Sequence, residues 1–192
     1  MSISCEKFFI LLFINFITDS LPAIALGLEP AEYDIMERPP RDNNLNILSG
    51  GVGWNILYQA TIQVVILMIM FVLALRFYDN ITATTMVFYT LNLIQVFHAF
   101  NLKTNHSLKT INIFKNKMFN ISFGVSILLI TLVATIPFMR MIFGLANLTV
   151  VQWLIVLACS ISIIPFVEFI KFLQYKFRSE EHTSELQSHV RI

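Results

Sequence analysis

Five stretches of mainly apolar residues divide this chain, at roughly 8–28, 54–75, 81–100, 119–138 and 148–173. Their length leaves few folds open. A helix rises about 1.5 Å per residue, so about 20 apolar residues cross a hydrocarbon core about 30 Å thick. Composition agrees, with 56% of the 192 residues hydrophobic and 13% charged, a balance wrong for a soluble domain. The polar pieces between the runs are too short to fold separately. The expected fold is an all-α membrane protein, one bundle of five transmembrane helices, whose first partner is the lipid bilayer. A net charge of +1 supplies no basic field, so nucleic acid is not an expected partner. Cys5 and Cys159 form no disulfide or metal pattern, and the four His have no ligand spacing.

From Arg178 the text turns polar, "RSEEHTSELQSHVRI", and loses any periodic apolar face. Twelve of these residues, "RSEEHTSELQSH", resemble the direct translation of a common sequencing-library adapter. The expected organisation is therefore a membrane domain over 1–177 and an adapter-derived tail over 178–192. Glu180, Glu181, His182 and His189 are accordingly not candidates for a metal site. The bland alternative is a solvated, disordered tail.

Lys and Arg near helix ends favour the cytoplasmic side. By parity, Arg38 and Arg41, then Lys103, Lys109, Lys115 and Lys117, then Lys171 and Lys176 fall on one side, against Lys7, Arg76 and Arg140 on the other. Eight against three puts loops 29–53 and 101–118 and the carboxy terminus in the cytoplasm, with the amino terminus outside or luminal. A cleaved signal peptide, suggested by Lys7 and the Ala23-Ile24-Ala25 pattern, would put the four-lysine loop outside instead. An uncleaved first span fits better.

That span, "FFILLFINFITDSLPAIALGLEP", carries a carboxylate, an amide, a hydroxyl and a helix breaker within eight residues. Asn15, Thr18 and Asp19 stand at i, i+3 and i+4 and share one helical face. An ionisable group at mid-membrane costs about 2.5–3.5 kcal/mol on insertion scales, so it faces protein, water or an ion. Pro22 has no N–H for the carbonyl of Thr18, which frees a main-chain oxygen beside Asp19 and favours local helix unwinding. These are oxygen ligands of the kind hard cations such as calcium take, and unwound helices are where transporters hold ions. The bland alternative is that Asn15 and Asp19 join helices and Pro22 only kinks one.

"FINFITDSLPAIALGLEPAEYDIMERPPR" followed by "ILSGG" closely resembles the sixth membrane helix and next cytoplasmic loop of P-type calcium-transporting ATPases. The likeness continues more weakly to about Phe177, in pieces such as "VVQWLIVL" and "VEFIKFL". It implies that the five spans correspond to helices six to ten of the pump's transport domain. It also implies that Asn15, Thr18 and Asp19 occupy ion-coordinating positions, with Asp19 the bridging carboxylate. "LNLIQVFHAFN" places Gln95 where reticulum pumps have an ion-binding glutamate, so Gln95 is a further candidate ligand that lacks the charge. Sodium/potassium pumps carry an aspartate where this chain has Asn15, which favours calcium as the transported ion. Calcium over manganese rests on the resemblance, because both accept oxygen ligands.

The family transports at the expense of ATP through an aspartyl-phosphate. Its DKTGT motif does not occur in this chain. ATP and Mg would act in missing amino-terminal domains, and the chain is expected to be an inactive fragment of the pump, without catalytic residues of its own. The rival reading is a stand-alone, non-catalytic membrane bundle with a structural or regulatory role.

Two other polar sets lie within the apolar runs. Asn92, Gln95 and His98 recur at three-residue intervals, a pattern that bundle-facing hydrogen bonds explain. Glu168 precedes Lys171 at i+3 near the cytoplasmic end, where pairing and snorkelling account for both.

Overall fold

The computed structural model describes residues 12, 20–29, 36, 52–103 and 115–174. Among these residues every regular element is an α-helix. The first, α1, covers residues 20–27 and runs helically through Pro22. Its last turn closes with the Leu28 N–H on the Ala25 carbonyl at 3.3 Å and the Glu29 N–H on the Leu26 carbonyl at 3.0 Å.

Helix α2, Val52–Phe77, has a clear division of faces. Ile66, Met70 and Ala74, four apart, are buried, while Val64, Met68 and Val72 are at least half exposed. An apolar helix with an apolar outer face suits lipid. A short turn leads to α3, Asn80–Asn101, whose N-cap is Asp79; the Asp79 carboxylate accepts the Thr82 N–H at 3.3 Å. This cap satisfies one of the orphan donors of the first helical turn.

Helix α4 is Lys117–Thr135, capped by Asn116, and it stops short of the expected span end at Phe138. The cause is Pro137: Ile136 is held extended at ψ 116°, as the residue before a proline must be. Pro137 then opens the short helix α5, Pro137–Phe143. Gly144, at φ 66°, closes α5 in the left-handed conformation that glycine adopts without a Cβ penalty. The following loop is pinned to α3, because the Ala146 N–H donates to Thr85 Oγ1 at 2.9 Å.

Helix α6, Val150–Ile161, starts with a capping box: the Thr149 N–H donates to Gln152 Oε1 at 2.7 Å and the Gln152 N–H to Thr149 Oγ1 at 3.5 Å. The helix is interrupted at Ser162 and resumes over 163–174. Pro165 denies the Ile161 carbonyl its usual donor, which places the break there.

Three of these elements are long and apolar enough to cross a membrane: Val52–Phe77, Lys117–Thr135 and the combined Val150–Gln174. Among the described residues, α3 is not in that set, although its 22 residues give it the length. The reason is its polar content, which its position accommodates. It packs against α2, α4 and α6, and buries Ala83, Met86, Tyr89, Leu93 and Val96 in the main core. Walls of protein on several sides let it carry Thr85, Thr90, Asn92 and His98 as buried residues. The fold is thus an all-α, largely membrane-apt bundle with its most polar helix at the centre. The first expected span lies mostly outside the described residues.

Candidate functional site

Of the residues expected to hold an ion, Asn15, Thr18 and Asp19 lie outside the described residues. Pro22 and Gln95 lie within them, and they meet. Pro22, Ala23 and Leu26 of α1, Gln63 of α2, and Gln95, His98, Ala99 and Leu102 of α3 line one cavity of about 200 Å³. Pro22 is buried in a helical stretch that includes Ser20 and Leu21, and Thr18, whose carbonyl it is expected to free, lies outside the described residues.

Helical spacing explains why α3 contributes four residues. Gln95, Ala99 and Leu102 stand at i, i+4 and i+7, a single face, with His98 beside them. Gln95 is half-buried and His98 is buried, and among the described residues His98 Nδ1 has no hydrogen-bond partner.

Gln63 is a cavity residue that sequence reasoning missed. Its signal was available, because it is the polar residue between Ile62 and Val64 in the apolar α2 run. The lining is mostly apolar, and Gln63, Gln95 and His98, its polar members, are residue types that carry neutral oxygen and nitrogen ligands. Neutral ligands can complete a cation's shell, but they do not balance its charge in a low-dielectric interior. Among the described residues no group of three His, Cys, Asp or Glu could hold a metal ion. A cation here would require a carboxylate from outside the described residues.

The polar series on α3 divides between two roles. Asn92 is buried and its amide donates to the Phe88 carbonyl of its own helix at 2.8 Å, so this bond is not interhelical. Asn101, at the end of α3, does reach across, donating to the Ile163 carbonyl at 3.4 Å. Lys171 Nζ donates to the Asn101 carbonyl at 2.8 Å and pairs with Glu168 Oε1 at 3.3 Å, so the i+3 pair expected from sequence is present. Lys171 thereby ties the second half of α6 to α3.

Comparison with known proteins adds a family. Residues 9–173 match the family model described as "Cation transporting ATPase, C-terminus". The chain is 33% identical over 175 residues to "Calcium-transporting ATPase 1" of Bacillus cereus, covering 82% of the chain and 19% of that relative. It is 32% identical over 176 residues to "Calcium-transporting ATPase 1" of Saccharomyces cerevisiae, covering 90% of the chain and 18% of the relative. With the protein of that name in Schizosaccharomyces pombe the identity is 34% over 158 residues, covering 80% and 17%. The chain spans less than a fifth of the length of these relatives.

Proposed function

The chain belongs to the cation transporting ATPase C-terminal family, and from that premise we propose that it forms part of the ion pathway of an ATP-driven calcium pump. In this reading Asn15, Thr18 and Asp19 supply ligands from the helix that α1 continues, and Gln95 supplies one from α3. Five spans cross the bilayer, matching helices six to ten of the pump, with α3 as a central span shielded from lipid. Loops 29–53 and 101–118 are cytoplasmic. ATP and Mg act in an amino-terminal part of the pump.

One observation carries the reading: the cavity shared by Pro22 and Gln95. Asp19 precedes Pro22 by only three residues in the sequence, which supports a ligand set close to the cavity. There, two glutamines contribute oxygens without charge, and Asp19 contributes the charge. Calcium accepts six to eight oxygen ligands in a flexible geometry, which suits such a mixed set.

The test is transport. The chain is joined behind the amino-terminal part of the Bacillus cereus relative, replacing the corresponding region, and membrane vesicles are assayed for ATP-driven uptake of radioactive calcium. Uptake above that of vesicles lacking the chimera is expected. A correctly inserted chimera that takes up no calcium rejects the proposal.

A further inference from the structure

The end of α1 is held by a small polar cluster that none of the ion-site residues belongs to. Glu29 follows α1, Lys103 follows α3, and Asn116 caps α4. Glu29 Oε1 lies 3.4 Å from Lys103 Nζ, and Glu29 Oε2 accepts from Asn116 Nδ2 at 2.8 Å. The same Nδ2 donates to the Ala25 carbonyl in the last turn of α1 at 3.3 Å. Asn116 Oδ1 meanwhile accepts the Phe119 N–H at 3.1 Å. One amide thus caps the end of α1 and the start of α4 together. Both helix termini leave backbone groups that need outside partners, and the Asn116 amide offers a donor and an acceptor on separate atoms, one for each terminus.

The charges reinforce this. Lys103 has a side chain that is 0% exposed, and its ammonium also sits 4.4 Å from the centre of the Phe119 ring. A buried ammonium needs a counter-charge, and an aromatic face adds to its stabilisation. The negative end of the α1 dipole and the Glu29 carboxylate face that cation together. Below the cluster, Ala25, Ala99, Phe100 and Phe119 form an apolar floor in which Phe100 and Phe119 meet edge to face at 4.9 Å.

We propose that Glu29, Lys103 and Asn116 form a positioning clamp that fixes the axial and rotational register of α1 against α3, and thereby sets the affinity of the ion site. The second half rests on the ion-pathway reading above. A one-residue slip of α1 moves its ligands about 1.5 Å along the axis and turns them about 100°. Such a slip changes where the chain leading into α1 enters the cavity that Gln95 lines. The clamp grips α1 one turn beyond Pro22, where it touches no ion ligand yet governs them all. Its members are therefore positioning residues.

Two measurements test it. Spin labels at Gly27→Cys and Met118→Cys, both exposed sites, report the α1 to α4 distance in the chain reconstituted in lipid nanodiscs, with Cys5 and Cys159 replaced by Ser. The parent is expected to give a narrow distance distribution, and Glu29→Gln, Lys103→Met and Asn116→Ala a broad one. The Glu29→Gln/Lys103→Met double variant is expected to broaden it no further than Lys103→Met alone, since one pair is lost either way. In the chimeric pump the same single variants are expected to raise the calcium concentration for half-maximal activity about tenfold, the scale of one charge-assisted bond, with the maximal rate near that of the parent.

Unchanged distance distributions in all three single variants overturn the clamp. Broadened distributions with unchanged calcium affinity overturn its control of the site, provided that Asp19→Asn abolishes calcium dependence in the same chimera. If Asp19→Asn has no effect either, the ion-site reading has failed and the distances alone decide whether the clamp holds α1.

Discussion

Pro22 of α1 and Gln95 of α3 line the same cavity, together with Gln63 of α2. Helix α1, which follows the candidate ligands in the sequence, therefore shares a cavity with an amide at the position where the resemblance implies a glutamate. A neutral amide leaves one negative charge fewer to offset a second dication in a low-dielectric interior. The proposed pump is expected to carry one calcium per cycle. Gln95→Glu restores the charge, and the calcium bound per phosphorylatable site is expected to rise from one towards two. Equilibrium binding of radioactive calcium to the chimera measures the ratio, and a ratio of two before the substitution contradicts the expectation.

The proposed sidedness rests on the distribution of Lys and Arg between loops, and the ends of the bundle supply positions to test it. Glu29, Lys103, Asn116 and Lys171 gather at one end of the bundle. Asp79 and the Thr85 to Ala146 contact lie at the other end of α3. In the chimera, single cysteines at Asp79 and Asn105 are expected to differ towards an impermeant thiol reagent on intact cells, with only position 79 labelled. Labelling confined to position 105 refutes the assignment.

The cap of α3 makes its start sensitive to acid. Hydrogen bonds from Thr82 to the fully exposed Asp79 hold its carboxyl below the ordinary aspartate value of 3.8. A carboxyl lowered on folding stabilises the helix start above its unfolded pKa, and that contribution is lost as pH falls through the lower folded value. Amide exchange at residues 80–83, corrected for intrinsic rates, is expected to lose protection as pH falls below the ordinary aspartate value of 3.8 and through the lower folded one. Asp79→Asn keeps an acceptor and removes this pH dependence, whereas Asp79→Ala removes the protection at every pH. Identical profiles for the parent and Asp79→Asn count against the carboxylate cap.

The isolated chain is expected to hydrolyse no ATP, because the DKTGT motif of the aspartyl-phosphate does not occur in it. Phosphate release from purified chain, with and without calcium, checks this. Calcium-stimulated release contradicts it.

Helix class and order were legible in the spacing of the apolar runs, since length alone decides what can cross a membrane. Their ends were less so. Pro137 stopped α4 at Thr135 because a single proline restricts the residue before it, a local effect invisible to a count of apolar residues. The centrality of α3 was only partly legible: Asn92, Gln95 and His98 marked it as polar, but burial among α2, α4 and α6 is a tertiary fact. At the candidate site, Gln95 was readable through resemblance, whereas Gln63 joined it only once α2 and α3 were packed. The roles of Glu29, Lys103 and Asn116 were not readable at all. Lys103 counted as one charge of a basic loop, and nothing in the sequence pairs it with a carboxylate on a distant helix end.

The central claim is that Asp19 supplies the charge of a calcium site. Asp19→Asn removes that charge with little change in volume. In the chimeric pump, phosphorylation from radioactive ATP is measured across calcium concentrations, with correct membrane insertion checked for each variant. The account predicts calcium-dependent phosphorylation in the parent and none in Asp19→Asn, at undiminished protein level. A variant phosphorylated at the same calcium concentrations as the parent would contradict it and make Asp19 a structural residue.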